Sequence, residues 1–132
     1  MDPISSNGRI LIMDDDEYIL EIISRMADSI GFEPVSCKDV PSTIATYRSY
    51  KENGKPFAAV IMDLTISGRI CGPEAIKLIL DCDPKAKVIL SSGYLDDPIV
   101  SNYTSYGFAG VLPKPYGIDD LSKVLQDVMN LG

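Results

Sequence analysis

The stretch "GRILIMDDDEYIL", Gly8 to Leu20, sets four apolar residues, Ile10 to Met13, directly before Asp14, Asp15, Asp16 and Glu17. A short continuous apolar run reads as a strand buried on both faces. The four carboxylates at its end repel one another. Two unit charges ~4 Å apart interact by roughly 4 kcal/mol at an effective dielectric of about 20. Either water or a cation must offset that. The same arrangement recurs downstream: "AAVIMDL" ends a second apolar run on Asp63.

Working outward, "RILIM" (9–13), "FEPVSC" (32–37), "FAAVIM" (57–62), "KVILS" (87–91) and "AGVLP" (109–113) read as strands. Helical patterns separate them. Ile19, Ile22, Ile23, Met26 and Ile30 recur with the period of one helix face, ended by Gly31. Val40, Ile44 and Tyr47 mark a second helix, opened by Asp39 and closed near Asn53-Gly54. A third starts at "GPEAIKLIL", with Pro73 in its first turn. A fourth starts at "DDPIV", with Asp97 as N-cap and Pro98 as first helical residue. A fifth carries Ile118, Leu121, Val124, Leu125 and Val128. Five β–α units with short connections predict a doubly wound α/β fold around a five-stranded parallel sheet. In the flavodoxin-like order 2-1-3-4-5, the crevice lies between the first and third strands. Asp14, Asp15 and Asp63 would meet there, around a hard cation.

The 132 residues fit one domain, with 1–8 expected to be a flexible segment and 9–131 the folded unit. The net charge of −7 argues against nucleic-acid binding and suits Mg²⁺ or a basic protein partner. No apolar run approaches the roughly 18 residues of a membrane helix. Neither a signal peptide nor membrane insertion is expected. Cys37, Cys71 and Cys82 lack metal or disulfide spacing, which suits a reducing, cytoplasmic setting. A redox role for Cys71 has no support, since nearby carboxylates raise a thiol's pKa. Histidine is absent, which excludes histidine-based catalysis and a histidine phosphodonor within this chain.

Four motifs in order, "ILIMDDDE" (10–17), "VIMDLTISG" (60–68), "VILSSGYLDDP" (88–98) and "GVLPKPY" (110–116), resemble the receiver domain of two-component response regulators. The style is closest to receivers of hybrid sensor histidine kinases. The resemblance implies that Asp63 accepts a phosphoryl group. It implies that Asp15, Asp63 and the backbone carbonyl of Thr65 hold Mg²⁺, or Mn²⁺ in its place, with Asp14 acting through water. Lys114, before a cis peptide bond to Pro115, would pair with the acceptor and then with phosphoryl oxygens. Ser92, aligned through Gly93, would supply a hydroxyl to the phosphoryl group. Asp16 and Glu17 are better read as opening the first helix. The implied donor is a phosphohistidine on a histidine kinase or a histidine phosphotransfer domain. As an isolated domain the chain is then no enzyme, apart from slow self-dephosphorylation. It would be cytoplasmic, free-standing or part of a membrane-bound hybrid kinase.

Two departures concern the readout. Val111 stands three residues before Lys114, where many receivers carry Tyr or Phe, and Ser67 replaces a common proline. Tyr103, Tyr106 and Tyr116, with Val111, are therefore the expected output surface. Two other functions remain open from sequence. One is a haloacid-dehalogenase-like Mg²⁺ phosphatase, loosely matched by Asp14-x-Asp16. The other is a pseudo-receiver that binds proteins without phosphorylation.

Overall fold

A computed structural model describes residues 8–63, 65–66, 69–70, 72–93 and 98–129. Ser67, Cys71 and Asp97, and with them the expected Asp97 cap, lie outside the described residues. The elements are β1 (Arg9–Met13), α1 (Glu17–Ser29), β2 (Glu33–Cys37), α2 (Val40–Glu52), β3 (Ala59–Asp63), β4 (Thr65–Ile66), β5 (Arg69–Ile70), α3 (Gly72–Cys82), β6 (Val88–Ser92), α4 (Pro98–Ser101), α5 (Tyr103–Tyr106), β7 (Gly110–Pro113) and α6 (Ile118–Met129).

Five strands form one parallel sheet in the order β2-β1-β3-β6-β7. Counting only these strands, this is the expected 2-1-3-4-5. β1 and β3 are neighbours, and the chain turns outward from them in opposite directions. Helices cover both faces, so every residue of β3 and β6 is buried. Two cores result. Leu11, Met13, Val60, Met62, Val88 and Leu90 face Tyr47, Ile76 and Ile79 of α2 and α3. Ile10, Ile12, Ala59, Ile61 and Ile89 face Leu20, Ile23, Leu121 and Leu125 of α1 and α6. Alternation along each strand assigns successive residues to opposite cores. Each fully buried aliphatic side chain contributes about 1.5–3 kcal/mol.

The helix starts follow local chemistry. Asp16 caps α1, its carboxylate accepting from the Tyr18 and Ile19 N–H groups at 2.9 and 3.4 Å. Asp39 caps α2, accepting from the Ser42 N–H at 2.7 Å. Both satisfy otherwise orphaned donors of a first turn. Gly31 and Gly54, just beyond α1 and α2, have φ of +95° and +74°, the left-handed geometry glycine allows.

Three details differ from the sequence reading. β3 runs one residue further than expected and includes Asp63. The loop after it contains a two-stranded antiparallel hairpin, β4 with β5. The expected fourth helix is two four-residue helices that break at Asn102. There the Asn102 side chain and the Ser101 hydroxyl both donate to the Pro98 carbonyl, at 3.0 and 3.2 Å. Such local side-chain bonds compete with helix continuation. Gly107 then ends α5 at φ +103°, where an added Cβ would lie 2.6 Å from Leu80 Cδ1. The left-handed backbone favours glycine there, and any Cβ would also have to displace the end of the Leu80 side chain.

Candidate functional site

The ends of β1, β3 and β7 build the site. The Asp14 N–H donates to the Cys37 carbonyl at 3.1 Å, which carries the β1–β2 ladder one residue past Met13. The Lys114 N–H donates to the Ser92 carbonyl at 2.8 Å and extends the β6–β7 ladder in the same way. Asp14 and Lys114 are therefore held by sheet hydrogen bonds, not by free loops. The Asp14 carboxylate also accepts from the Asp16 N–H at 3.0 Å, which ties the strand end to the start of α1.

Asp14 and Asp63 are buried, at 3% and 7% exposure, while Asp15 is exposed. One carboxylate oxygen from each of the three lies within 4.8 Å of the others. Lys114 Nζ bridges the two buried members, 3.2 Å from Asp14 Oδ2 and 3.1 Å from Asp63 Oδ1. Burial pulls the lysine pKa down, but the Asp63 and then the Asp14 carboxylates outweigh it and the net shift is upward. Lys114 therefore stays an ammonium. The Lys114–Pro115 peptide is cis, as the receiver resemblance implies.

One ammonium among three carboxylates leaves an excess of negative charge. The donor set is all oxygen, which suits a hard cation. Octahedral Mg²⁺ at about 2.1 Å from each ligand sets ligand oxygens roughly 3 Å apart when adjacent and about 4.2 Å when opposite. A span within 4.8 Å needs only a small contraction to meet that. The residues present thus fit a divalent cation.

Ser91 and Ser92 are both buried at the end of β6, opposite Leu112 and Pro113 of β7. Ser91 is the register partner of Asp63. Its position was legible in principle, because period-two alternation from Ile89 sets it on the sheet face that also carries Asp63. The sequence reading chose Ser92 over Ser91 through the alignment of Gly93 and gave Ser91 no part. The four residues expected at the output surface separate. Tyr103 and Val111 are half-buried against the α2/α3 core. Tyr106 is 41% exposed. Tyr116 packs on the α1/α6 core, across the sheet from Tyr103 and Val111, with a buried hydroxyl. A groove of about 450 Å³ lined by Ile19, Ile22, Ile23 and Met26 of α1 with Lys114, Pro115 and Tyr116 opens beside the acidic site.

A parallel sheet in this order, with carboxylates and a lysine gathered at the strand ends, defines a doubly wound α/β domain with an acidic crevice at its switch point. The sequence model for the response regulator receiver domain matches residues 10–126, and the chain belongs to that family. It is 26% identical over 122 residues to the chemotaxis protein CheY of Bacillus subtilis, covering 92% of this chain and 98% of that protein. A receiver domain protein from Clostridium thermocellum superimposes with a TM-score of 0.78 at 25% identity, covering 94% of this chain and 95% of that one. The receiver domain of a sensor histidine kinase from Pseudomonas aeruginosa, solved with a magnesium ion coordinated in its active site cleft, gives 0.79 at 18% identity, covering 93% and 98%. The chain spans 18% and 20% of the length of two fungal transcription factors that it also matches. Receiver domains act in two-component systems as phosphoacceptors, pair with histidine kinases or phosphotransfer proteins, and bind Mg²⁺ in their acidic site. Among the described residues no helix is long and apolar enough to cross a membrane.

Proposed function

We propose that this domain takes a phosphoryl group from a phosphohistidine onto Asp63. One observation carries the reading: Asp63 is buried beside Asp14, within reach of Asp15, and paired with Lys114. A carboxylate oxygen of Asp63 attacks phosphorus in line. The P–O bond forms as the P–N bond breaks, and the P–N electron pair returns to the imidazole nitrogen of the donor. The chain lacks histidine, so the donor belongs to a histidine kinase or a histidine phosphotransfer domain. Asp15, Asp63 and the Thr65 backbone carbonyl would hold Mg²⁺ or Mn²⁺, and Asp14 would act through water. When bound, the cation neutralises charge on the phosphoryl oxygens in flight. Lys114 follows that charge, exchanging a carboxylate partner for a phosphoryl oxygen. Its compact ammonium on a flexible stem suits such a move. Ser92 supplies a hydroxyl to a third phosphoryl oxygen. Catalysis is then positioning and electrostatics in a preorganised site.

The same geometry admits water, so the acyl phosphate decays slowly on its own. The donor-bearing helix docks in the α1 groove. That groove's apolar lining runs up to Lys114, and whatever delivers a phosphoryl group to Asp63 must cover this ground. The readout runs through the region of Tyr103, Tyr106 and Val111, with Tyr116 on the far side of the sheet. The setting is cytoplasmic, in a free-standing regulator or in a hybrid kinase.

Incubation with Mg²⁺ and acetyl phosphate, followed by intact mass, tests the reading. One phosphoryl group should be gained by the wild type and none by Asp63→Asn. Steady turnover of phosphate esters would favour a haloacid-dehalogenase-like phosphatase. No adduct with any donor would favour a pseudo-receiver.

A further inference from the structure

Among the described residues the only antiparallel pairing is β4 with β5, in the loop that follows Asp63. Thr65 pairs with Ile70 and Ile66 with Arg69, so only Ser67 and Gly68 separate the two strands. A glycine in a two-residue loop suits a tight hairpin turn. In an antiparallel pair, opposed residues that exchange both N–H···O bonds alternate with opposed residues that exchange none. Ile66 and Arg69 flank the loop and must be the bonded pair, because the next bonds toward the loop would join neighbours in sequence. Thr65 and Ile70 are then the unbonded pair. The Thr65 carbonyl is left out of the ladder and points away from β5, at the open edge of β4.

Strands of two residues do not hold by themselves. Here both ends are anchored. β4 begins two residues after Asp63, the buried last residue of β3. β5 ends two residues before α3, whose Ala75 and Ile76 lie in the core. The hairpin closes a short loop whose ends the fold already holds, which keeps the entropy cost of closing it small.

We propose that the β4–β5 hairpin is a cation-selecting device: by fixing the Thr65 carbonyl it tilts the acidic site toward Mg²⁺ and away from Ca²⁺. The inference rests on the reading in which Asp15, Asp63 and that carbonyl hold the cation. Mg²⁺ demands near-ideal octahedral ligands at about 2.1 Å, whereas Ca²⁺ takes six to eight oxygens at about 2.3–2.6 Å in flexible geometry. Asp15 is exposed, and a carboxylate on a side chain can turn to follow either ion. A backbone carbonyl has no side-chain torsion to adjust, so it sits where the chain sits, and the hairpin sets the chain. Opening the hairpin therefore takes most from the ion that tolerates least.

The test uses Ile66→Pro and Arg69→Pro in the full chain, each of which removes an N–H of the bonded pair. Ile66→Val and Arg69→Gln keep that N–H. Titration calorimetry with MgCl₂ and with CaCl₂ gives both dissociation constants, and melting in EDTA reports the fold without cation. In each proline variant the Mg²⁺ dissociation constant should rise about tenfold, as when a group that holds a metal ligand in place is removed. The Ca²⁺ constant should rise by less than about threefold. Ile66→Val should match the wild type, and Arg69→Gln should bind both ions at least as tightly, since it only removes a positive charge. A merely structural role would lower the melting temperature in EDTA and leave the ratio of the two constants as it was. Unchanged Mg²⁺ affinity, or an equal loss for both ions, overturns the proposal. Should a proline variant not fold, inserting Gly-Gly between Ser67 and Gly68 loosens the hairpin without altering its residues, and the same outcomes decide. A wild-type chain that binds neither ion overturns the ligand set itself, a result distinct from normal binding with unaltered selectivity.

Discussion

Two partly buried polar clusters sit in this domain, and they differ in how well they are satisfied. At one, Tyr47 of α2 donates its hydroxyl to Asp83 Oδ2 at 2.8 Å, the Lys85 N–H donates to Asp83 Oδ1 at 3.0 Å, and Lys51 lies 4.0 Å away. Here one carboxylate has several donors, and the net effect lowers its pKa although burial alone would raise it. At the other, Asp14 and Asp63 share Lys114, with an Asp15 carboxylate oxygen within 4.8 Å of theirs. The first cluster joins α2 to the end of α3 and is complete within the chain. The second gathers three carboxylates at the strand ends, two of them on one lysine. A satisfied network stiffens a fold, while a local conflict marks the place where something else binds.

Variants can break or sharpen this contrast. The largest stability effect should come from Lys114→Gln without divalent cation. Removing one partner of a buried ion pair costs 3–5 kcal/mol, and the lysine's partial exposure reduces this to about 3 kcal/mol. Chemical denaturation at neutral pH measures it, and added Mg²⁺ should restore more stability to this variant than to wild type. Next, saturating Mg²⁺ should stabilise the wild type by about 2.7 kcal/mol at a hundred times its dissociation constant. Asp15→Asn and Asp63→Asn should weaken that response, and Tyr47→Phe should leave it intact. If Tyr47→Phe abolished the Mg²⁺ response, the two clusters would not be separable.

Tyr47→Phe should itself cost about 1–2 kcal/mol, because Asp83 loses its buried donor. Phosphoryl uptake should be unchanged. The smallest effect is on pH dependence. The Asp83 carboxyl is held below its ordinary value in the fold, so its contribution is present above about pH 4 and is lost as pH falls through the folded value. The Tyr47 phenol is pushed up, first by burial and then by its bond to Asp83, so its contribution is present below about pH 10 and is lost above it. Tyr47→Phe should flatten the alkaline limb of a stability–pH curve and leave Tyr116 as the other buried phenol contributing to it.

Much of the fold was legible because parallel strands buried on both faces must be apolar throughout, and "ILIM" (10–13) and "AAVIM" (58–62) are. The caps at Asp16 and Asp39 were legible because they follow from local geometry. The break at Asn102 was not, since the Asn102 N–H, its side chain and the Ser101 hydroxyl all converge on the Pro98 carbonyl, a crowding that helical periodicity does not reveal. The β4–β5 hairpin was not, because two-residue strands leave no periodicity to detect. Of the site, the aspartates and Lys114 announced themselves through motif and position. Ser91 did not, since its place beside Asp63 depends on which strand pairs with β6 and in what register.

By itself, then, the sequence determined the elements, the acids at the strand ends and the absence of any histidine donor, because these are matters of composition and local period. The tertiary structure alone decided that Asp14 and Asp63, 49 positions apart in the chain, share one lysine, and that Ser91 pairs in register with Asp63. Register between strands and packing across a sheet face are long-range conditions, and no local stretch of chain encodes them.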